Sequence, residues 1–138
     1  TIEGKLQEFG FELMNDKSSV LIEQIKTQII QLVKDTETLE KQNLSEYLSK
    51  TLHRDYSSLS KMFSEVTGVT IEQYFILQKI ERAKELIVYD EMSLTQIAFE
   101  LGYSSVAHLS SQFKKVTGLT PSHFKGLKQK QRNSLDEV

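Results

Sequence analysis

The residues of this chain that are best suited to chemistry are basic side chains concentrated toward its C-terminal end. The stretch 114–132 holds no acidic residue and six basic ones: Lys114, Lys115, Lys125, Lys128, Lys130 and Arg132. Such a cluster can neutralise phosphates, because binding depends on the local field rather than on the total charge. The total alone argues against nucleic acid, since the net charge is −2 and the isoelectric point is about 5.9. A solvated lysine-rich tail is the alternative interpretation.

The sequence lacks the residue patterns of an enzyme or of a metal protein. There is no cysteine, and the three histidines (His53, His108 and His123) share no spacing that places two of them on one helix face. No phosphate loop, nucleophile elbow or paired-carboxylate motif occurs. We therefore expect no catalysis, no cofactor and no metal site.

One segment occurs twice, 50 positions apart and without a gap. Residues 59–70 read Leu-Ser-Lys-Met-Phe-Ser-Glu-Val-Thr-Gly-Val-Thr, and residues 109–120 read Leu-Ser-Ser-Gln-Phe-Lys-Lys-Val-Thr-Gly-Leu-Thr. Each copy has a short helical segment, a break, a second helical segment and a Thr-Gly stop, which is the layout of a helix-turn-helix. Two such units in one chain suggest a protein that reads two successive faces of a DNA duplex.

Apolar spacing and capping residues predict an all-α fold of about seven helices. The predicted helices cover residues 18–35, 44–51, 56–66, 71–88, 94–101, 106–116 and 121–130. Val20 and Leu77 are among the residues expected to face the core, and Gly68 and Gly118 are expected to end helices in the left-handed conformation. The corresponding domains are an N-terminal segment at 1–17, a first helix-turn-helix subdomain at 18–70, a linker helix at 71–90, a second subdomain at 91–130 and a frayed tail at 131–138.

Length and composition fit one compact unit or two small subdomains, since the chain has 138 residues of which 38% are hydrophobic. No apolar run approaches the roughly 18 residues of a membrane span, and no signal peptide is visible. The absence of cysteine fits a cytoplasmic setting. Because the first residue is Thr1 rather than methionine, we expect a fragment of a longer product.

Residues 93–125 resemble the signature of AraC/XylS-type transcriptional regulators. The motifs that carry the resemblance follow one another at fixed intervals: Ile97-Ala98, Leu101-Gly102-Tyr103, Phe113-Lys114-Lys115, Thr117-Gly118 and Thr120-Pro121-Ser122. Residues 43–75 and the stretch from Arg82 to Leu86 match the same family, so the resemblance covers roughly residues 18–130. It implies two helix-turn-helix subdomains joined by one long helix, with the second helix of each in adjacent major-groove segments.

The resemblance also implies which side chains read bases. In the first unit these positions fall on Ser57, Ser58, Ser60 and Lys61, which avoid the inward positions of their helix. In the second unit they fall on Val106, Ala107, His108, Ser110 and Ser111. Many family members carry a long basic side chain where this chain has Ser111, so a bidentate guanine contact is impossible there. The second unit instead offers Val106 and Ala107 to a thymine methyl, and His108 to a base or phosphate.

Other positions of interest have two possible roles. Lys114, Lys125 and Lys128 are expected on phosphates. Arg82 and Lys84 are expected to pair with neighbouring acids rather than with DNA. Four aromatic residues are expected in the core rather than stacked on single-stranded nucleic acid: Phe63, Tyr74, Phe113 and Phe124.

The predicted function is sequence-specific binding of duplex DNA by the output module of a bacterial transcriptional regulator. Double-stranded DNA and RNA polymerase are the predicted partners. The alternative is a helical protein-interaction module that kept this fold and lost its affinity for DNA, which the acidic total would suit. Affinity for duplex DNA that falls steeply with salt would distinguish the two.

The N-terminal segment has two interpretations. Residues 5–9 resemble a helix end, Gly10 a cap and residues 11–14 a short strand, which is similar to the close of a small heavy-metal-associated, ferredoxin-like domain. That resemblance implies an upstream sensor domain that is missing from this chain. The other interpretation is a linker packed on the first long helix.

Overall fold

Helices make up nearly all of the chain in a computed structural model, which describes the backbone of residues 2–136 and the side chains of residues 17–134. Within that backbone there are eight helices and no strand. In chain order they are α1 (Ile2–Val33), α2 (Thr36–Lys41), α3 (Leu44–Leu52), α4 (Tyr56–Thr67), α5 (Ile71–Tyr89), α6 (Leu94–Glu100), α7 (Val106–Thr117) and α8 (Pro121–Asp136). The predicted all-α class is confirmed. No helix in the described part of the chain is both long and apolar enough to cross a membrane.

Three predictions about the elements were wrong. Helix α2 was not predicted, because its six residues are too few to show a period and none of them is buried. Residues 131–136 continue α8 instead of fraying, while residues 137 and 138 lie outside the described residues. Residues 11–14 belong to α1 and form no strand. Glycine destabilises the interior of a helix by only about 1 kcal/mol relative to alanine, so Gly10 is compatible with a long helix.

One hydrophobic core runs through both helix-turn-helix units. Helix α1 contributes Ile22, Ile25, Ile29 and Val33, and α5 contributes Ile71, Ile80, Ala83 and Ile87. These α5 side chains are buried together with Leu48, Leu59 and Phe63 of the first unit and with Ile97, Leu109 and Phe113 of the second. The linker helix is therefore a shared part of the core, and the two units form one packed body.

Two residues expected in this core face solvent instead. Val20 is 59% exposed and Leu77 is 41% exposed. Both continue an apolar stripe by spacing, but the neighbouring elements leave much of each side chain uncovered. Periodicity assigns a residue to a face and does not say how far along the helix the partner extends.

The two repeats end their second helices in the same way. Thr67 Oγ1 donates to the Phe63 carbonyl oxygen at 2.7 Å and accepts from the Val69 amide at 3.2 Å. Thr117 Oγ1 donates to the Phe113 carbonyl oxygen at 2.8 Å and accepts from the Leu119 amide at 3.1 Å. The aromatic pairs also match, with centroids 5.7 Å apart for Phe63 and Tyr74 and 5.5 Å apart for Phe113 and Phe124. The prediction that these rings belong to the core is confirmed.

The glycines that follow α4 and α7 adopt the left-handed conformation that was predicted. Gly68 has φ 79° and Gly118 has φ 83°. Each amide closes the last turn of its helix, and the Gly118 amide donates to the Lys114 carbonyl oxygen at 2.7 Å. A Cβ placed on either glycine would meet no atom within 4 Å, so the constraint is the backbone angle rather than space.

We expect Gly118→Val to lower the free energy of unfolding by roughly 1–2 kcal/mol, because the left-handed region is costly for a β-branched residue. Chemical denaturation monitored by circular dichroism measures this change. Gly126→Ala is the control, since Gly126 lies inside α8 and an added Cβ there also meets nothing. This control should be neutral or stabilising by up to about 1 kcal/mol. An unfolding curve of Gly118→Val that superimposes on the wild-type curve would contradict the assignment.

Candidate nucleic-acid interface

Helix α4 presents the polar face of the first unit. Asp55 caps its start by accepting the Ser58 amide at 3.4 Å, and the buried Leu59 and Phe63 fix its inward side. The predicted base-reading residues lie on the other side: Ser57, Ser58 and Lys61 are exposed and Ser60 is half-buried. Among the described residues, Lys61 has no ion-pair partner. Its ammonium is therefore available to an external acceptor.

The turn before α4 adds a basic residue that sequence reasoning missed. His53 ends α3 in the left-handed conformation at φ 53°. The Arg54 amide donates to the Ser49 carbonyl oxygen at 3.3 Å, and Ser49 Oγ donates to the Arg54 carbonyl oxygen at 2.9 Å. These two bonds hold the backbone of an exposed arginine immediately before the recognition helix. A cation in the turn between the two helices of a helix-turn-helix was the available signal.

Helix α7 presents the equivalent face of the second unit. Ser105 caps it by accepting the His108 amide at 3.1 Å, and Leu109 and Phe113 are buried. The predicted contact residues again lie opposite the core: Ala107, His108, Ser111 and Lys114 are exposed, while Val106 and Ser110 are half-buried. The outward placement of both sets agrees with the predicted register.

His108 packs against Tyr103, which belongs to a cluster of stacked side chains. The Tyr103 ring packs edge-on against the His108 ring, with centroids 5.0 Å apart and planes at 88°. The Tyr103 hydroxyl donates to Gln112 Oε1 one turn further along α7. On the other face, Lys79 Nζ lies 4.1 Å from the Tyr103 centroid and 4.9 Å from that of Phe75. The linker helix thus contacts the ring that orients a candidate recognition residue.

Burial and the two rings act on the Lys79 ammonium in opposite directions. Desolvation favours the neutral amine and lowers the pKa of Lys79 to about 8. The faces of Phe75 and Tyr103 attract a cation and so retain the charged form near neutral pH. Sequence spacing gave no sign of this cluster, because Lys79 lies on the linker helix and Tyr103 lies in the turn before α7.

The lysines of α8 differ in their surroundings. Lys125 Nζ lies 2.7 Å from Asp90 Oδ1, in an ion pair that joins α8 to the residue capping α5. Lys128 is exposed and lies 5.5 Å from the Phe124 centroid. Arg132 donates to the Val88 carbonyl oxygen at 3.3 Å. The two lysines that were predicted to act alike are therefore not equivalent, since Lys125 already has an acidic partner.

Two acids of the linker helix are locally neutralised. Arg82 pairs with Glu85 at 2.9 Å and Lys84 pairs with Glu81 at 2.8 Å. This pairing was predicted and is confirmed. Both pairs lie within one turn of α5, so they leave little net charge on that part of the surface.

A family model described as "Helix-turn-helix domain" matches residues 48–126, more than half of the chain. Over 90 residues the chain is 36% identical to an uncharacterized HTH-type transcriptional regulator of Staphylococcus aureus, a match that covers 65% of this chain and 12% of the relative. The chain therefore spans about an eighth of that relative's length.

Two solved structures have the same fold. One is the C-terminal domain of the two-component response regulator yesN from Fusobacterium nucleatum, at 27% identity and a TM-score of 0.62, covering 75% of this chain and 95% of that one. The other is the DNA-binding domain of AdpA in complex with a target DNA, at 18% identity and a TM-score of 0.68, covering 81% and 96%. The second likeness concerns the fold alone.

We expect the Lys79 amine to titrate near pH 8, below its ordinary value of 10.5. The folded state then penalises the charged form. The penalty is complete below about pH 8 and is relieved as the pH rises toward about 10.5, so Lys79 makes stability increase with pH across that window. Lysine side-chain NMR between these two pH values measures the titration, and Lys79→Arg identifies the signal by removing it. A Lys79 signal that stays at its charged position up to about pH 10 would show that burial does not control this amine.

Proposed function

The chain belongs to the AraC-type family of helix-turn-helix domains, and we propose that it binds duplex DNA sequence-specifically as the output module of a bacterial transcriptional regulator. One observation carries the proposal. Two equivalent helices, α4 and α7, turn capped and polar faces away from a single shared core. A protein that reads two successive major-groove segments needs two such faces on one rigid body.

The two faces offer different contacts to bases. In the first unit, Lys61 reaches furthest and can donate to the O6 and N7 acceptors of guanine, while the hydroxyls of Ser57, Ser58 and Ser60 bond to any base edge. The second unit has no long cation at Ser111. There, Val106 and Ala107 can touch a thymine methyl, His108 can donate to a base or phosphate, and Ser110 and Ser111 supply hydroxyls. The first unit therefore carries the stronger preference for guanine.

Cations around these faces position the protein on phosphates. Arg54 lies in the turn before α4, Lys114 lies on α7 and Lys128 lies on α8, and all three are exposed. Contacts of this kind set affinity and salt dependence without reading sequence. The role is binding, and the residues in these positions are donors and apolar groups rather than acid–base pairs.

RNA polymerase and an upstream sensor domain are the further partners that we propose for the full regulator, which would act on DNA in the cytoplasm. Selection of binding sites from random duplexes tests the function itself. The protein should bind a selected duplex far more tightly than a scrambled one. For each phosphate contact, the logarithm of the binding constant should fall by about 0.9 for every tenfold increase in salt concentration. Equal and salt-independent affinities would instead favour a protein-interaction module.

Lys61→Ala should cost roughly 1–3 kcal/mol on the selected duplex and relax the preference at one base pair, because it removes a contact to a base edge. The cost should be much smaller on a scrambled duplex. Titrations of both proteins on both duplexes give the comparison. Equal losses on the two duplexes would make Lys61 a phosphate contact, and specificity would then rest on the serines and on DNA shape.

Lys128→Ala should weaken binding to every duplex alike and reduce the salt slope by about one unit, as expected for a lost phosphate contact. Lys125→Ala is its matched partner on the same helix. Because Lys125 is held 2.7 Å from Asp90, its removal should change the slope less. Binding isotherms at several salt concentrations distinguish the two variants, and identical slopes would show that Lys125 leaves Asp90 when DNA binds.

The recognition helices should lie roughly parallel and about 34 Å apart on the DNA, since adjacent major-groove faces recur every helical turn. Hydroxyl-radical footprinting should therefore show two protected regions on one face of the duplex, separated by about 10 base pairs. One short protected region, of the size that a single unit covers, would contradict simultaneous binding by both units.

A further inference from the structure

A hydrogen-bonded contact joins the two helix-turn-helix units directly. The hydroxyl of Thr36, at the start of α2, lies 2.6 Å from Glu100 Oε2 and 3.1 Å from the Glu100 carbonyl oxygen. Glu100 is the last residue of α6, 64 positions further along the chain. Both bonds are partly buried, so water competes with them less than at an open surface.

The elements on either side of this contact belong to different units. Helix α2 follows α1 after a tight turn in which the Asp35 amide donates to the Leu32 carbonyl oxygen at 3.0 Å, and Leu32 is buried. Helix α6 packs on α7, the recognition helix of the second unit. The contact therefore connects the body of the first unit to the element that supports the second recognition helix.

The other side-chain bonds between elements either stay within one unit, as that of Tyr47 to Gln28 does, or reach the linker helix. Tyr56 donates to Glu72 at the start of α5, while Lys125 and Arg132 hold α8 against its end. Among the described residues, only the side-chain hydrogen bonds of Thr36 link the first unit to the second without passing through α5. They oppose a rotation of the second unit about α5, in addition to the packing of the shared core.

We propose that the Thr36–Glu100 contact sets the half-site spacing that this protein accepts, by fixing the second recognition helix relative to the first. The inference rests on the proposed DNA binding. One base pair changes the distance between half-sites by about 3.4 Å along the duplex. A hydrogen bond is lost when its donor and acceptor separate beyond about 3.5 Å. A spacing changed by one base pair is therefore incompatible with an intact contact if the two helices follow their half-sites.

The test compares affinities for duplexes that differ only in the spacing between the two selected half-sites. The protein of residues 1–138 is titrated with the selected duplex and with duplexes that have one base pair added or removed between the half-sites. Wild-type protein must break the contact on the altered duplexes, whereas Thr36→Val has no contact to break. For each protein we take the ratio of the dissociation constant on the altered duplex to that on the selected duplex. We expect this ratio to be roughly two- to tenfold lower for Thr36→Val than for the wild-type protein.

Three further variants make the test specific. Thr36→Ser retains the hydroxyl and should keep the wild-type ratio. Glu100→Ala removes one of the two acceptors and should shift the ratio in the same direction by less, which gives a second measurement if Thr36→Val does not fold. Thr38→Val is the matched control on the same helix, because Thr38 Oγ1 donates only locally, to Asp35 Oδ2 at 2.7 Å. It should leave the ratio unchanged.

The outcomes separate this inference from the function on which it rests. Failure of the wild-type protein to select any sequence would overturn the proposed function. A wild-type spacing optimum that Thr36→Val and Glu100→Ala both reproduce would overturn the role of the contact while leaving DNA binding in place. A ratio that falls equally in Thr38→Val would assign the effect to the stability of α2 and would also overturn it.

Discussion

The linker helix α5 must bury side chains against both units at once, and the rest of the structure depends on that constraint. Ile71, Ile80 and Ala83 have no exposed surface, and Ile87 is almost as deeply buried. Since close-packed interiors resist a change of even one methylene, the contacts on one side of α5 limit those on the other. Each helix-turn-helix is therefore oriented by a helix that it shares with its neighbour. This shared burial is what allows a chain of small units to present two recognition helices in a fixed relation.

Equivalence between the repeats ends at the turn before each recognition helix. In the first unit His53 adopts the left-handed conformation at φ 53°, and in the second Gly102 does so at φ 77°. The repeat offset pairs His53 with Tyr103 rather than with Gly102, so the left-handed residue is shifted by one position. Consequently Tyr103 turns into the core and packs on His108, whereas His53 remains exposed. The first turn presents Arg54 to solvent, and the aromatic residue of the second turn packs against His108, a candidate recognition residue.

Local signals in the sequence predicted most of the framework. The Thr-Gly stops and the capping residues depend on neighbours a few positions away, and they have the predicted form. The capping boxes of Thr70 with Gln73 and of Ser93 with Gln96 are both present. What could not be predicted depends on distant partners. Three contacts join elements whose proximity follows only from the packing around α5. They are the bond of Thr36 to Glu100, the ion pair of Lys125 with Asp90 and the stacking of Lys79 on Tyr103. The exposure of Val20 and Leu77 has the same origin, because burial requires a facing element as well as an apolar face.

An acidic total and an affinity for phosphates are compatible in this protein because of where its acids lie. Glu81 and Glu85 are paired with cations on the linker helix, and Asp90 is paired with Lys125. Asp55 accepts an amide at the start of α4, where a negative charge is favoured by the helix dipole and offsets the positive end of that helix. Two cations without such partners are Lys61, on helix α4, and Lys128, on α8. The field felt by a phosphate at 10 Å or less is set by these near charges, because ions screen the more distant ones at physiological salt over about 8 Å. Net charge summed over a chain is therefore a poor guide to nucleic-acid binding, because the distribution of cations close to the phosphates decides.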